Sequence, residues 1–264
     1  MQFALFLPAI LCGLVAYSMA WHHRDEKENE MNDFHHVMHA QKEAQPSSDL
    51  VAASLSRAIH EHRLAPGTKL GEDELADIYS VSRTIVRTSL QSLAHSQLVE
   101  IKRNRGAFVA QPTPKEAREV FEARELVEPR MARTAAQRAT AKDVDLLKAH
   151  IEAEHAALDN GDNGRALYLS GQLHVIIAQI SDQATIAGFV ETLIARSSLI
   201  VALYWKRESA LCETHAHDSL VQAIERNDET SADELMRSHL VDLHSALDLS
   251  SKPTAGPSLK DILG

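Results

Sequence analysis

The feature that most constrains the fold of this chain is a fixed order of short elements between residues 47 and 109. The elements follow from the spacing of apolar side chains, from serines that can cap helices, and from glycines and prolines that end them. They are a helix that begins at Ser47 or Ser48 and ends before Ala65-Pro66-Gly67, a short helix over Glu72–Tyr79, a break at Ser80-Val81-Ser82, a helix over Arg83–Ala94, and two strands over Leu98–Ile101 and Ala107–Val109. This order indicates a winged helix-turn-helix.

The third helix has the two faces that a DNA-reading helix needs. Val86, Leu90 and Leu93 recur at intervals of four and three residues and form an apolar face that can pack on its own domain. Arg83 and Arg87 lie away from that face, near the start of the helix. Guanidinium groups in this place suit guanine edges and phosphates in the major groove.

The connection between the two strands is basic, with the sequence Lys102-Arg103-Asn104-Arg105-Gly106. The whole chain has a net charge of −10, so any contact with DNA must come from a local basic surface. Lys and Arg number 8 against 7 acidic residues in 46–112, whereas they number 16 against 24 in 113–264. Only the region of the helix-turn-helix escapes the acidic excess, which favours this hairpin as the wing.

The sequence of this region resembles the GntR family of bacterial repressors. The residues that carry the resemblance are Pro66-Gly67, Leu70, Leu75-Ala76, Val81-Ser82-Arg83-Thr84, Val86-Arg87, Leu90, Leu93, Leu98-Val99, Gly106 and Phe108-Val109. The resemblance implies that Arg83 and Arg87 enter the major groove, and that Ser82 and Thr84 contact the DNA backbone. It also implies that the wing around Arg105 and Gly106, with Lys102 and Arg103, enters the minor groove of operator DNA.

A few positions depart from the family pattern. Ile85 stands where proline is common, Thr88 where an acidic residue is common, and Ser96-Gln97 where Glu-Gly usually precedes the first wing strand. Asp73 stands where some relatives place a basic residue that contacts DNA. We therefore expect this protein to read its operator with fewer contacts.

After the pair Thr113-Pro114 the chain is predicted to be helical almost to its end. The phrase from Val120 to Pro129, with Ala132 and Ala135-Ala136 beyond it, resembles the start of the FCD ligand-binding domain found in the FadR branch of the same family. Further helices are predicted over Ala141–Asp159, Gly164–Ile180, Ile186–Glu208, Thr214–Arg226 and Ser231–Leu249. The predicted fold class is thus mainly α, a winged helix-turn-helix followed by an antiparallel all-helical bundle.

Three histidines on the predicted bundle helices are candidate metal ligands, because imidazole binds zinc, nickel and similar divalent ions. Taken singly, His174, His217 and His239 would each be ordinary core or surface residues. The resemblance to the metal-binding subgroup of FCD domains implies instead that together they hold a divalent ion, zinc or nickel. That subgroup has an Asp or Asn four residues before the first histidine, and Ser170 stands there in this chain.

A metal held by three neutral imidazoles keeps open positions and its positive charge, which suits capture of a small carboxylate effector. A guanidinium such as Arg124 or Arg196 would assist. A hydrolytic metalloenzyme can use a similar site, but no HExxH sequence and no paired general base at a recognisable spacing is present. We expect a repressor that binds an inverted-repeat operator as a homodimer, and not an enzyme.

Residues 1–45 are an apolar and then polar extension. Phe3–Ala20 is apolar and ends like a signal-peptide cleavage site, but no Lys or Arg precedes it and Pro8 interrupts it. We expect translation to start at Met31 or Met38. The alternative is a membrane anchor, which would make the protein a membrane-tethered DNA-binding sensor.

The predicted organisation continues with a winged helix-turn-helix domain over 46–112, a helical effector-binding, metal-binding and dimerisation domain over 113–249, and a flexible tail over 250–264. Cys12 and Cys212 show no CxxC spacing and suit a reducing compartment. We therefore expect a cytoplasmic protein with no membrane partner.

Overall fold

A computed structural model describes residues 47–206 and 214–250 of the chain. Within these residues the elements are α1 (Ser48–His60), β1 (Lys69–Leu70), α2 (Glu72–Tyr79), α3 (Arg83–His95), β2 (Val99–Lys102), β3 (Gly106–Val109), α4 (Pro114–Arg138), α5 (Ala141–Asp159), α6 (Asn163–Ile180), α7 (Ala184–Tyr204), α8 (Thr214–Glu225) and α9 (Glu229–Ser245). The predictions for residues 1–45 and for most of the C-terminal tail lie outside the described residues. The predicted helix ends at Glu208 and Leu249 are wrong, because α7 ends at Tyr204 and α9 ends at Ser245.

Two serines separate α2 from α3. Ser80 ends α2 with a left-handed backbone, φ 52°, and the side chain of Ser82 accepts a hydrogen bond from the backbone N–H of Ile85 at the start of α3. Within the predicted break, Ser80 thus ends α2 and Ser82 caps the start of α3. Beyond it, α3 buries its apolar face, as the spacing of Val86 and Leu90 predicts.

The wing belongs to a three-stranded antiparallel sheet in the order β1-β3-β2. Lys102 pairs with Gly106 at the end of the β2–β3 hairpin, and both Asn104 and Gly106 have positive φ, which a tight connection requires. The first strand, β1, is only two residues long, Lys69–Leu70, and the sequence analysis did not predict it. A two-residue strand is too short to show an alternating pattern.

The helical half of the chain begins at a strong local signal. Thr113 and Glu116 form a reciprocal capping box with Pro114 in the first turn of α4, and Thr140 and Asp143 repeat the capping box at α5. One apolar cluster joins α4, α5, α6, α8 and α9; its large members are Leu147, Ile151, Leu173, Ile177, Leu220, Ile224, Met236 and Leu240. The predicted fold class, a helix-turn-helix with a small sheet followed by a helical bundle, is confirmed.

The long helix α7 contributes to both halves. Ala195 and Leu199 of α7 pack in the same apolar cluster as Val51 and Leu55 of α1, so the core of the winged helix continues into the bundle. Among the described helices, α7 is the one long and apolar enough to span a membrane by length and composition, but it packs against α4 and α6 within the bundle. It ends at Tyr204, where the phenol donates a hydrogen bond to the carbonyl oxygen of Pro112.

Candidate functional site

The start of α3 presents an exposed polar surface. Ser82, Arg83, Thr84 and Arg87 are all exposed there, whereas Val86 is buried. The structure therefore brings these four predicted DNA-contacting residues together on one surface, with the arginine side chains more than half exposed. An exposed helix N-terminus that carries two guanidinium groups can offer donors both to phosphates and to base edges.

Two acidic residues of α2 hold these arginines in the DNA-free protein. The Nε and Nη2 atoms of Arg87 lie 3.2 and 2.7 Å from the two carboxylate oxygens of Glu72. The Nη1 atom of Arg83 lies 2.9 Å from Oδ1 of Asp73, and its Nη2 atom lies 3.4 Å from Oε2 of Glu72. The hydrogen bond from Arg87 is the largest influence on Glu72 and lowers the pKa of that carboxyl. The sequence analysis did not identify this contact.

The wing carries its cations around one aromatic ring. The Lys102 ammonium lies 5.2 Å and the Arg105 guanidinium 5.8 Å from the centre of the Phe108 ring. Lys102 also pairs with Glu100 at 2.9 Å, whereas Arg103, Arg105 and Gly106 are exposed at the tip. Arg103 and Arg105 are therefore the wing cations best placed to reach DNA.

The three candidate histidines meet in the bundle. His174 of α6, His217 of α8 and His239 of α9 are all buried, and each offers a ring nitrogen within 4.8 Å of the others. The Nε2 atoms of His217 and His239 are 3.3 Å apart. Ligands at about 2.0–2.1 Å in a tetrahedral arrangement are separated by about 3.3 Å, so this pair already has a spacing that suits zinc.

Two buried glutamates orient the histidine rings. Glu128 of α4 lies 2.5 Å from Nδ1 of His174, and Glu154 of α5 lies 3.1 Å from Nδ1 of His217. A carboxylate on Nδ1 fixes the ring and leaves Nε2 with a free lone pair, the usual support of a histidine that binds a metal. The sequence analysis missed both glutamates. A possible signal was the i, i+4 spacing of Arg124 and Glu128, which places the two side chains on one helix face.

The buried charges of this centre set its protonation. Burial alone would raise the pKa of Glu128, but attraction to Arg124 and then to His174 outweighs it and lowers that pKa to about 2. Burial is the main influence on His174 and on His239, and it lowers the pKa of both rings below 6.5. Both rings are therefore neutral near pH 7, as a metal ligand must be.

The three histidines line a cavity of about 100 Å³, which has room for several water molecules or a small organic acid. Ser170 and Arg124 also line it, so the structure places both beside the candidate ligands. Arg196 is not among the described residues that line this cavity. Its guanidinium lies 3.8 Å from Glu116 instead, and we therefore do not carry it forward as an effector contact.

The same cavity is bounded on one side by the end of α1. His60 and His62 line it together with Ser197 and Ser198 of α7. His62, two residues beyond the end of α1, has a left-handed backbone, φ 55°, and its Nε2 atom lies 2.9 Å from the carbonyl oxygen of Ser198. A Cβ atom at Gly164 of α6 would overlap the backbone of the same α1 end, so the two halves are in close contact here.

Comparison with known proteins identifies the class. Residues 47–109 match the family described as bacterial regulatory proteins, gntR family, and residues 119–242 match the FCD domain. The chain therefore belongs to the GntR family of transcriptional regulators, in the FadR subfamily that carries a C-terminal FCD domain. Regulators of this family bind operator DNA.

Individual relatives agree with this assignment. The HTH-type transcriptional repressor RspR of Escherichia coli K12 is 24% identical over 204 residues, which span 77% of this chain and 90% of RspR. The galactonate operon transcriptional repressor of the same strain is 34% identical over 117 residues, which span 37% of this chain and 51% of the relative. These relatives are transcriptional regulators, and the prediction that the chain is not an enzyme is confirmed.

A solved structure supports the fold. A GntR transcriptional regulator from Rhodococcus sp. RHA1 superposes with a TM-score of 0.66 at 20% sequence identity, covering 75% of this chain and 95% of that one.

Proposed function

We propose that this chain is a cytoplasmic transcriptional repressor whose affinity for operator DNA responds to a small organic acid bound at a metal in the FCD domain. The observation that carries the proposal is the cluster of His174, His217 and His239, buried, backed by two carboxylates and open to a cavity. One relative is named the galactonate operon transcriptional repressor, and galactonate is a small carboxylate. We assign operator contact to Ser82, Arg83, Thr84, Arg87 and the wing residues Lys102, Arg103, Arg105 and Gly106.

The donor set fits zinc or nickel, since three neutral imidazoles are good ligands for both. The three histidines would hold the ion, and the hydroxyl of Ser170 stands on the same cavity wall as a weaker fourth donor. When bound, the metal supplies positive charge that attracts the carboxylate of the effector. Arg124, which lines the cavity, would donate to that carboxylate.

The buried charges favour this order of binding. With neutral histidines and ionised carboxyl groups, Arg124, Glu128 and Glu154 together carry a net charge of −1, which favours entry of a cation. A divalent ion changes the sum to +1, and a single carboxylate then restores neutrality. Charges buried in a protein are costly unless they are balanced, so the occupied cavity favours an anion of one charge.

We propose that the effector acts on DNA binding through α7 and the end of α1. One face of α7 packs Ala195 and Leu199 into the core of the winged helix, while Ser197 and Ser198 line the cavity. A ligand that moves α7 therefore moves the winged helix as well. In a homodimer on an inverted repeat, such a movement would change the spacing of the two DNA-binding domains.

The test uses full-length protein freed of metal with EDTA. Calorimetric titration with zinc and with nickel should show one site per chain, and the site should be lost in His174→Ala. A thermal-shift screen of small carboxylates, with and without the metal, should then find acids that stabilise only the metal-loaded protein. Unchanged metal content in His174→Ala would refute the ligand assignment.

A further inference from the structure

The two arginines at the start of α3 are paired with acidic residues of α2 in the DNA-free protein. We propose that Glu72 competes with DNA for Arg87, and that this autoinhibitory contact weakens the binding of any DNA that Arg87 contacts. The proposal rests on the proposed contact of Arg87 with operator DNA. Glu72 is acidic, unlike the basic and hydroxyl side chains to which operator contact is assigned.

The geometry of the pair supports this role. Both carboxylate oxygens of Glu72 face nitrogen atoms of Arg87, at 3.2 and 2.7 Å, so the guanidinium is held by two parallel contacts. The Nη2 atom of Arg83 lies 3.4 Å from Oε2 of Glu72, and its Nη1 atom is 2.9 Å from Asp73. The four side chains sum to zero charge, so while they are paired they add no net charge that would attract a phosphate to the start of α3.

The pair of Glu72 and Arg87 is also weak enough to be broken when DNA binds. Arg87 is 57% exposed, and exposed ion pairs are weak and screened by salt. A guanine edge offers two acceptors in one plane and can replace both oxygens of Glu72, which favours the right base over a wrong one by about tenfold to a hundredfold. A phosphate can also accept two hydrogen bonds from a guanidinium, so contact with a guanine edge or with a phosphate must first break the pair of Arg87 with Glu72.

The experiment compares full-length wild-type protein with Glu72→Gln and with Glu74→Gln. Glu74 carries the same charge in the same helical turn and makes no ion pair with the described residues. Fluorescence anisotropy measures binding to two duplexes of equal length, one enriched by the wild-type protein from a random library and one of unselected sequence, at several salt concentrations. Thermal unfolding confirms that each variant is folded.

We expect Glu72→Gln to bind the unselected duplex about fivefold more tightly, with a salt slope steeper by about one unit, because Arg87 gains a phosphate. Binding to the enriched duplex should tighten by a similar factor, because Arg87 must leave Glu72 in that complex as well, so the selectivity ratio should stay nearly constant. Glu74→Gln leaves the pair of Glu72 and Arg87 intact, so it should change both affinities less than about twofold.

Two results would overturn the role of Glu72. One is no change in either affinity for Glu72→Gln, and the other is an equal change for Glu72→Gln and Glu74→Gln. A separate variant, Arg87→Ala, distinguishes this failure from a failure of the proposed operator contact. If Arg87→Ala binds the enriched duplex like wild type, the operator contact is wrong and the role of Glu72 falls with it.

Discussion

The Nε2 atom of His62 lies 2.9 Å from the carbonyl oxygen of Ser198, and this contact joins the chain just beyond α1 to α7 beside the cavity that the three histidines line. Near this joint, which is the contact between the end of α1 and the bundle, the Arg57 guanidinium and the His60 ring both contact the ring of Tyr168 on α6. The joint lies where the DNA-binding half meets the FCD bundle. A ligand in the cavity therefore lies within reach of both halves.

The first prediction concerns this joint. His62→Ala removes the contact with Ser198, so we expect zinc to bind as tightly as in wild type while the effect of ligand on operator affinity falls. Couplings between sites are typically fivefold to about 150-fold, and we expect less than about twofold in the variant. Anisotropy with operator DNA, with and without metal and the best carboxylate from the thermal-shift screen, measures this. His95→Ala, an exposed histidine at the end of α3, is the control, and an intact ligand response in His62→Ala would contradict the prediction.

The second prediction concerns the carboxylate behind His217. Glu154→Gln keeps the size of the side chain but removes the charge that orients the ring, so zinc affinity should fall about tenfold to a hundredfold. Glu152→Gln, exposed on the same helix, is the matched control and should bind zinc like wild type. Calorimetry measures both constants. Equal affinities in the two variants would show that Glu154 does not support a metal ligand.

The third prediction concerns Ser170. An aspartate at this position would add a carboxylate one helical turn before His174, on the same cavity wall. We expect Ser170→Asp to raise zinc affinity by about tenfold, since a carboxylate is a far better ligand than a neutral hydroxyl. Ser170→Ala should change the affinity little. If Ser170→Asp binds zinc no better than Ser170→Ala, the side chain at this position does not reach the metal.

The fourth prediction concerns acid. Burial lowers the pKa of His62, His174 and His239 below 6.5, so the unfolded chain binds protons there that the folded protein does not. Stability of the metal-free protein is therefore fully present above pH 6.5 and falls below it. The pKa of Glu128 is lowered from 4.5 to about 2, so this carboxylate stabilises the folded protein above pH 4.5. That stability is lost as the pH falls from 4.5 to about 2, because the carboxylate is then protonated.

Urea unfolding from about pH 8 to about pH 4 measures this dependence. His239→Asn cannot take up the proton, so its stability should fall less steeply below pH 6.5 than that of wild type. A stability that stays constant down to about pH 4 would contradict the prediction, because it would mean that the folded and unfolded chains bind equal numbers of protons.

Much of the winged helix could be predicted from sequence because its signals are local. The intervals between Val86, Leu90 and Leu93 define the buried face of α3, and Ser82 caps the helix one residue before it begins. The bundle helices follow in the same way from capping residues such as Thr140. The two-residue strand β1 could not be predicted, since its pairing with β3 depends on residues far along the chain.

The surroundings of the candidate site were less accessible for the same reason. Glu128 lies 46 residues from His174, Glu154 lies 63 residues from His217, and His62 lies 136 residues from Ser198. The pattern of a single sequence predicts which face of its own helix a residue occupies. It does not predict which other helix packs against that face. The three histidines could be selected only through a family resemblance, and Arg196, selected by chemical type alone, is not among the described residues that line the cavity.

The fifth prediction concerns the operator contact itself. The Arg87 side chain is mostly exposed, and Arg87→Ala leaves the buried face of α3 intact. The variant should therefore keep the thermal stability of the wild-type protein. A bidentate contact to guanine is worth about 1–3 kcal/mol, and its loss should weaken binding to the enriched duplex by about tenfold to a hundredfold. Arg118→Ala removes an equal charge from an exposed position on α4 and should change operator affinity less than about twofold. Because each variant removes one positive charge, a difference between them reports the contact and not the charge. Equal affinities would place operator recognition elsewhere on the domain.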